Sequence, residues 1–206
     1  MAHGFGLRDA PTPAGLLRPV QVHGSAVVVL RAKPRAALGE ADAVVSSLAG
    51  VAVGVVTADC VPVLLASSDG SAVAAVHAGW RGLAAGVVEA GVRSLASLGA
   101  APLRAAVGPC IGACCYEVDD PVLDALRGRF GAALDAALLP ARQARALLDL
   151  AALARAALRG AGVRDADIET VPDACTRCDA PRFHSARRDG REAGRLVHWI
   201  AARRDP

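Results

Sequence analysis

The sequence predicts a single α/β (α+β) domain, and three observations carry that expectation. Asp42-Ala43-Val44-Val45-Ser46 and Val51 to Val56 are nearly unbroken apolar runs with the length and composition of strands covered on both faces. The stretch from Thr57 to Gly82 reads as a strand that starts at a thiol, a turn at Ser68-Asp69-Gly70, and a second strand that ends at an imidazole. Leu83, Val87, Val88, Val92, Leu95 and Leu98 then keep helical spacing, and Gly99 closes that helix. A chain of 206 residues, 53% of them hydrophobic, can bury one sizeable core.

The other elements follow in chain order. Residues 1–20 are proline-rich and weakly patterned, which predicts a short, loosely held N-terminal segment ahead of a single domain over 21–206. Gln21-Val22-His23-Gly24 ends in a turn before a buried strand at Ala26 to Leu30, and residues 31–40 form a loop around Lys33-Pro34 and Gly39. Residues 104–112 read as a strand running into a Gly-Pro turn. From Asp120 to Gly160 alanine, leucine and arginine dominate, and the break at Pro140 predicts two amphipathic helices. Ile168 to Val171 is a strand candidate, Arg187 to Gly190 a turn, and Arg195 to Ile200 the final strand.

Charge and cysteine usage exclude several classes. The 23 basic and 20 acidic residues leave a formal net charge of +3, too balanced for a nucleic-acid or membrane surface. No apolar run reaches the ~20 residues needed to span a bilayer. Cys60, Cys110, Cys114, Cys115, Cys175 and Cys178 follow no secretory leader, so they are expected to be reduced thiols of a soluble, cytoplasmic protein. Adjacent Cys114 and Cys115 are expected to pack as small hydrophobes. Cys175-Thr176-Arg177-Cys178, a lone C-x-x-C, is a weak signal for zinc or redox chemistry.

The chemistry centres on the hairpin. Its strands run antiparallel, so Cys60 and His77 at the two outer ends lie side by side. With a third ligand from elsewhere the pair suits zinc; without one it suits a Cys-His nucleophile. The helix that starts directly after His77 points free N–H groups and Arg81 toward the same place, an arrangement able to take an anion, although Arg81 reads equally well as a solvated first-turn residue.

Gln21-Val22-His23-Gly24, Thr57-Ala58-Asp59-Cys60, His77-Ala78-Gly79-Trp80-Arg81-Gly82, Gly108-Pro109-Cys110-Ile111-Gly112 with Tyr116-Glu117-Val118, Cys175-Thr176, and Ser185 through Gly190 with Gly194-Arg195 together resemble the YfiH-like purine nucleoside phosphorylase family, formerly described as polyphenol oxidase or laccase. The resemblance runs from about residue 21 to the C-terminus. It implies that His23, Cys60 and His77 bind one Zn2+ with a fourth position open, as in a catalytic site. It also implies a layered sandwich with mixed sheets in the centre and helices outside. The implied reactions are phosphorolysis of adenosine, inosine, guanosine and methylthioadenosine, and hydrolytic deamination of adenosine. Zinc suits the latter by lowering the pKa of a water to roughly 7. Phosphate held by arginines and helix N-termini suits the former.

Within that reading Asp59, beside Cys60, either moves a proton or supports the ligand, and Arg81 takes part in the reaction. Gln21, Arg81 and Arg188 are the substrate-binding candidates. The expected partners are a purine nucleoside and phosphate, with no nucleic acid and no membrane, in a monomer or homodimer. One departure stands out: only 14 residues, Gly6 to Pro19, separate Phe5 from Val20, where family members have a longer region.

Other readings remain. Cys60 as nucleophile with His77 as base describes a cysteine-type hydrolase, and a related reading is an amidase acting on a cell-wall precursor. A zinc-binding module without catalysis is a further alternative. A polyphenol oxidase needs several copper sites built mainly from histidine, and His3, His23, His77, His184 and His198 are too few and too scattered for that.

Overall fold

The computed structural model describes residues 1–140 and 145–203. Its first strands are β1 (Ala2–Gly4), β2 (Val27–Leu30), β3 (Ala43–Ser46), β4 (Ala52–Thr57), β5 (Val61–Ser67) and β6 (Val73–Ala78). Two helices follow, α1 (Trp80–Ala85) and α2 (Val87–Ala96), and then β7 (Leu103–Val107) and β8 (Glu117–Val118). The second half contributes α3 (Asp120–Phe130), α4 (Ala132–Ala136), β9 (Leu138–Pro140), β10 (Ala146–Leu148), α5 (Leu150–Gly160), β11 (Ile168–Thr170), α6 (Ala186–Asp189) and β12 (Leu196–Ala201).

Six strands form a mixed sheet in the order β11-β7-β5-β6-β3-β2, with β2–β3 and β7–β11 parallel and the other pairs antiparallel. The apolar runs of β5 and β6 are buried along their whole length because both faces are covered. Val61, Val63, Leu65, Ala74 and Val76 point to the helical layer, where Val87, Val88, Val92 and Leu95 of α2 and Leu153 and Leu158 of α5 meet them. Leu64, Ala66, Val73 and Ala75 point the other way, onto Val53, Val55 and Ile200 of a three-stranded sheet ordered β1-β12-β4. The layers are helices, mixed sheet and second sheet, as the layered α/β reading requires. Full burial of each such valine or leucine contributes about 1.5–3 kcal/mol.

The sequence reading needs four corrections. The N-terminal segment is tied down: β1 lies against β12, pairing Ala2 with Ala201 and Gly4 with Trp199, and so covers an edge that β12 would otherwise expose. The helix expected to run to Leu98 is two helices, because Gly86 adopts a left-handed φ of 83° and closes α1 through bonds to the carbonyls of Gly82 and Leu83. Pro140 does not separate two helices; it sits in β9, opposite Ala146 of β10, in a small antiparallel sheet between α4 and α5. Proline is tolerated there because β9 is the outer strand of the order β8-β10-β9. Finally, Arg187 to Gly190 is mostly the short helix α6, capped by Ser185, whose Oγ accepts from Arg188 N at 3.2 Å. Among the described residues, no helix is long and apolar enough to cross a membrane.

Candidate metal centre and its cleft

Side-chain alternation decides where His77 emerges. It shares the parity of Val73 and Ala75, which face the second sheet, so its ring leaves the end of β6 on that side rather than among the helices. The hairpin register sets His77 opposite Pro62 and Ala78 opposite Val61, which brings Cys60, in the bend before β5, beside the ring.

Asp42 organises the other half of the centre. It is fully buried at the start of β3 and its carboxylate accepts from the N–H groups of Val22 (3.2 Å), His23 (2.9 Å) and Gly24 (2.6 Å) and from His77 Nδ1 (2.8 Å). His23 adopts a left-handed φ of 61°, which curls three successive N–H groups onto one anion. Burial opposes the charge on Asp42, but the bonds from His77, Gly24 and His23 outweigh it and keep the pKa below its ordinary value. An ionised Asp42 requires the proton on His77 Nδ1, leaving Nε2 for a metal or for Cys60.

Cys60 Sγ lies 4.0 Å from His23 Nε2, the two imidazole rings stand edge to face at 4.8 Å, and one ligand atom from each of His23, Cys60 and His77 lies within 4.8 Å of the others. These residues could hold a metal ion. A tetrahedral zinc, with bonds of about 2.0–2.3 Å, asks for separations near 3.3–3.8 Å, which this trio reaches by small contraction. Gly79 makes room for it, since a Cβ there would stand 2.9 Å from Cys60 Sγ and 3.3 Å from His23 Cδ2. Burial raises the Cys60 thiol, yet hydrogen bonds and charge from His23 and His77 bring it down to about 7. Burial lowers His77, and the bonds to Asp42 and Cys60 push it up to about 9. Cys60 and His77 thus shift in opposite directions, sulfur toward the anion and imidazole toward the cation.

The centre opens on a cleft of ≈ 520 Å³, lined among others by Gln21, Arg18 and Arg195. That volume is ordinary for a small-molecule site. Thr57, at the end of β4, also lines it and is held from behind by His198 of β12, whose Nε2 lies 2.9 Å from Thr57 Oγ1. Gly6 N donates to His198 Nδ1 at 3.3 Å, so the ring proton is on Nε2 and is donated to Thr57. Burial, with the His77 charge adding to it, pushes His198 down to about 3.

The remaining sequence candidates are distributed differently. Gln21 lines the cleft, but its amide is spent on the backbone of Val56, with Nε2 to the carbonyl at 2.8 Å and Oε1 from the N–H at 2.7 Å. Asp59, at a left-handed φ of 88°, turns away from Cys60: Oδ1 accepts from Thr176 Oγ1 at 2.5 Å and Oδ2 from Arg187 N at 2.6 Å. Arg81 is exposed and stacks on Trp80 at 4.2 Å. Arg188 directs its donors to the carbonyls of Thr176, Arg177 and Phe183 and to Asp189, which leaves none for an anion. The arginines that line the cleft are Arg18 and Arg195, the latter with Nη1 donating to the carbonyls of Ala193 (2.6 Å) and Gly194 (3.1 Å) and its other donors left over. Sequence reasoning missed Asp42 and Arg18; the available signal for Asp42 was an acid opening an otherwise apolar strand.

The family model described as multi-copper polyphenol oxidoreductase laccase matches residues 7–203. Adenosine deaminase RL5, from an unknown prokaryotic organism, is 38% identical over 195 residues, which span 90% of this chain and 74% of that protein. A purine nucleoside phosphorylase of Streptomyces coelicolor is 41% identical over 196 residues, or 91% of this chain and 75% of that one. Among solved structures, YfiH of Bacillus licheniformis superposes with a TM-score of 0.85 at 31% identity, covering 92% of this chain and 74% of that chain. YlmD of Geobacillus stearothermophilus superposes with a TM-score of 0.83 at 30% identity and the same coverage. With both its sequence and its layered fold matched across nine-tenths of its length, the chain belongs to the YfiH-like family whose model is described as multi-copper polyphenol oxidoreductase laccase.

Proposed function

We propose that this chain is a cytoplasmic, zinc-dependent purine nucleoside phosphorylase that also deaminates adenosine, working as a monomer or homodimer. The observation that carries the reading is the convergence of His23, Cys60 and His77 at the floor of a cleft that two arginines border. Relatives named for phosphorolysis and for deamination support it from the sequence side.

His23, Cys60 and His77 are the residues that would hold the ion, and zinc bound there would supply Lewis acidity and acidify water. Asp42 fixes the tautomer and direction of His77 and the turn that carries His23. Arg18 and Arg195 take the anion, phosphate in phosphorolysis, in place of Arg81 and Arg188. Gln21 and Thr57 shape the wall, each fixed from behind. Asp59 contributes by position, since both of its oxygens are committed to Thr176 and Arg187. Product analysis with adenosine, with and without phosphate, tests the reading: ribose-1-phosphate only when phosphate is present, and inosine in either case. Neither product from metal-loaded protein would overturn it.

A second reading rests on one observation. Cys60, His77 and Asp42 form a chain of thiol, imidazole and buried carboxylate, the order of a cysteine nucleophile with its base and orienting acid. A thiolate bound to zinc is blunted toward alkylation. Slow labelling of Cys60 by iodoacetamide until a chelator is added favours the metal; rapid labelling of metal-loaded protein with loss of activity favours the hydrolase.

A further inference from the structure

Four of the six cysteines meet at a place the cleft chemistry does not use. The turn Ala113 to Cys115, between β7 and β8, and the turn at Cys175 to Cys178, after β11, lie side by side, and a bridge between Cys110 and Cys175 aligns them. Neither turn is a strand, so neighbouring side chains need not point to opposite faces and Cys114 and Cys115 converge. Sγ of Cys114 lies 3.6 Å from that of Cys115 and 3.7 Å from that of Cys178, and Cys115 and Cys178 are 3.2 Å apart. One sulfur from each of the four cysteines, Cys175 included, lies within 4.8 Å of the others. The C-x-x-C is therefore not alone, because the fold supplies each pair with the other; of the adjacent pair, Cys115 packs partly buried against the core as a small hydrophobe would, while Cys114 is exposed.

We propose that Cys114, Cys115, Cys175 and Cys178 bind a second metal ion, a structural zinc held by four thiolates. Four sulfurs around one zinc at about 2.3 Å stand about 3.8 Å apart, close to the spacings observed. An iron-sulfur cluster spreads its thiolates over several irons and needs them farther apart. The separations also exceed by far the ~2.05 Å of a disulfide. The surroundings supply donors to the sulfurs: Gly112 N donates to Cys175 Sγ at 3.2 Å. Arg177 Nη1, 3.5 Å from Cys115 Sγ, offsets part of the double negative charge that four thiolates and one zinc carry. With all four positions filled by protein, the site leaves no room for substrate, which separates it from the His23-Cys60-His77 centre.

The site has a structural task in view. Thr176, between two of the ligands, donates to Asp59, and Asp59 directly precedes Cys60. A zinc that joins the two turns fixes Thr176 and, through Asp59, the bend that carries Cys60.

The test is metal analysis and zinc X-ray absorption on the purified full chain. Wild type should carry about two zinc ions, and Cys178→Ser and Cys114→Ser about one each. His77→Ala, which removes the other centre, should retain one zinc with about four sulfur neighbours at ~2.3 Å. That spectrum is read on a protein with all four cysteines intact, so it decides the matter even if the serine variants do not fold. A wild-type chain whose one zinc has four sulfur neighbours would support this site and sink the cleft metal instead. Overturning results are zinc bound mainly through nitrogen with one sulfur, a disulfide among the four in non-reducing mass spectrometry, an iron-sulfur spectrum, or four thiols that alkylate freely in metal-loaded protein.

Discussion

Asp42 Oδ1 lies 2.8 Å from His77 Nδ1, and the same carboxylate also accepts from the backbone of His23, so one buried acid sets the position of both histidines of the cleft. Removing its charge strips the support from two ligands at once. Asp42→Asn should lower metal affinity about 10–100-fold, measured by competition with a chromogenic chelator, while metal at the four-cysteine site stays in place. Unchanged affinity at the cleft would show that the carboxylate does not position the ligands.

Gly79 tests whether close approach matters. Its φ of −74° suits any residue, so Gly79→Ala is a change of space alone. The new methyl group would press on Cys60 Sγ and on the His23 ring. We expect a folded protein with near-normal thermal stability that has lost most cleft metal and activity. Full metal loading would mean that Cys60 has slack to move.

The arginines separate the two reactions. Arg195→Ala and Arg18→Ala should each weaken phosphate binding by about 1.5–3 kcal/mol, the scale of a lost charge-assisted hydrogen bond, with zinc content unchanged. Deamination requires water and not phosphate, so inosine formation should fall much less. Arg81→Ala, at a residue stacked on Trp80 outside the cleft lining, should leave the phosphate dependence alone. A phosphate titration in all three variants checks the assignment, and a large effect at Arg81 with none at Arg18 or Arg195 would reverse it.

His198 makes stability depend on acid. Its folded pKa is pushed down to about 3, whereas an unfolded histidine titrates near 6.5. Below pH 6.5 the unfolded chain therefore binds more protons, and stability falls as the pH drops, by about 1.4 kcal/mol per unit until the folded ring also protonates. Urea midpoints between pH 7 and 4 should decline, and His198→Asn, which does not titrate, should decline less steeply. Parallel slopes for the two proteins would exclude the buried ring as the source.

Local pattern was enough for the scaffold and for the pair at its centre. The apolar runs of β3 to β6 dictate strands covered on both faces, and antiparallel pairing then sets Cys60 against His77 whatever the rest of the chain does. His23 joined them through a motif resemblance, since nothing in its own neighbourhood distinguishes a ligand from a surface histidine. The tertiary structure decided what depends on contacts between segments far apart in sequence. Asp42 became the support of the centre because burial without a partner would be costly, and its partners come from residues 22–24 and 77. Arg188 was spent on carbonyls by the folding of its own loop, while Arg18, in a stretch without pattern, was carried to the cleft. The cysteine pairs at 114–115 and 175–178, some sixty residues apart, give no periodic signal in either segment; only the packing of two irregular turns brings their sulfurs together.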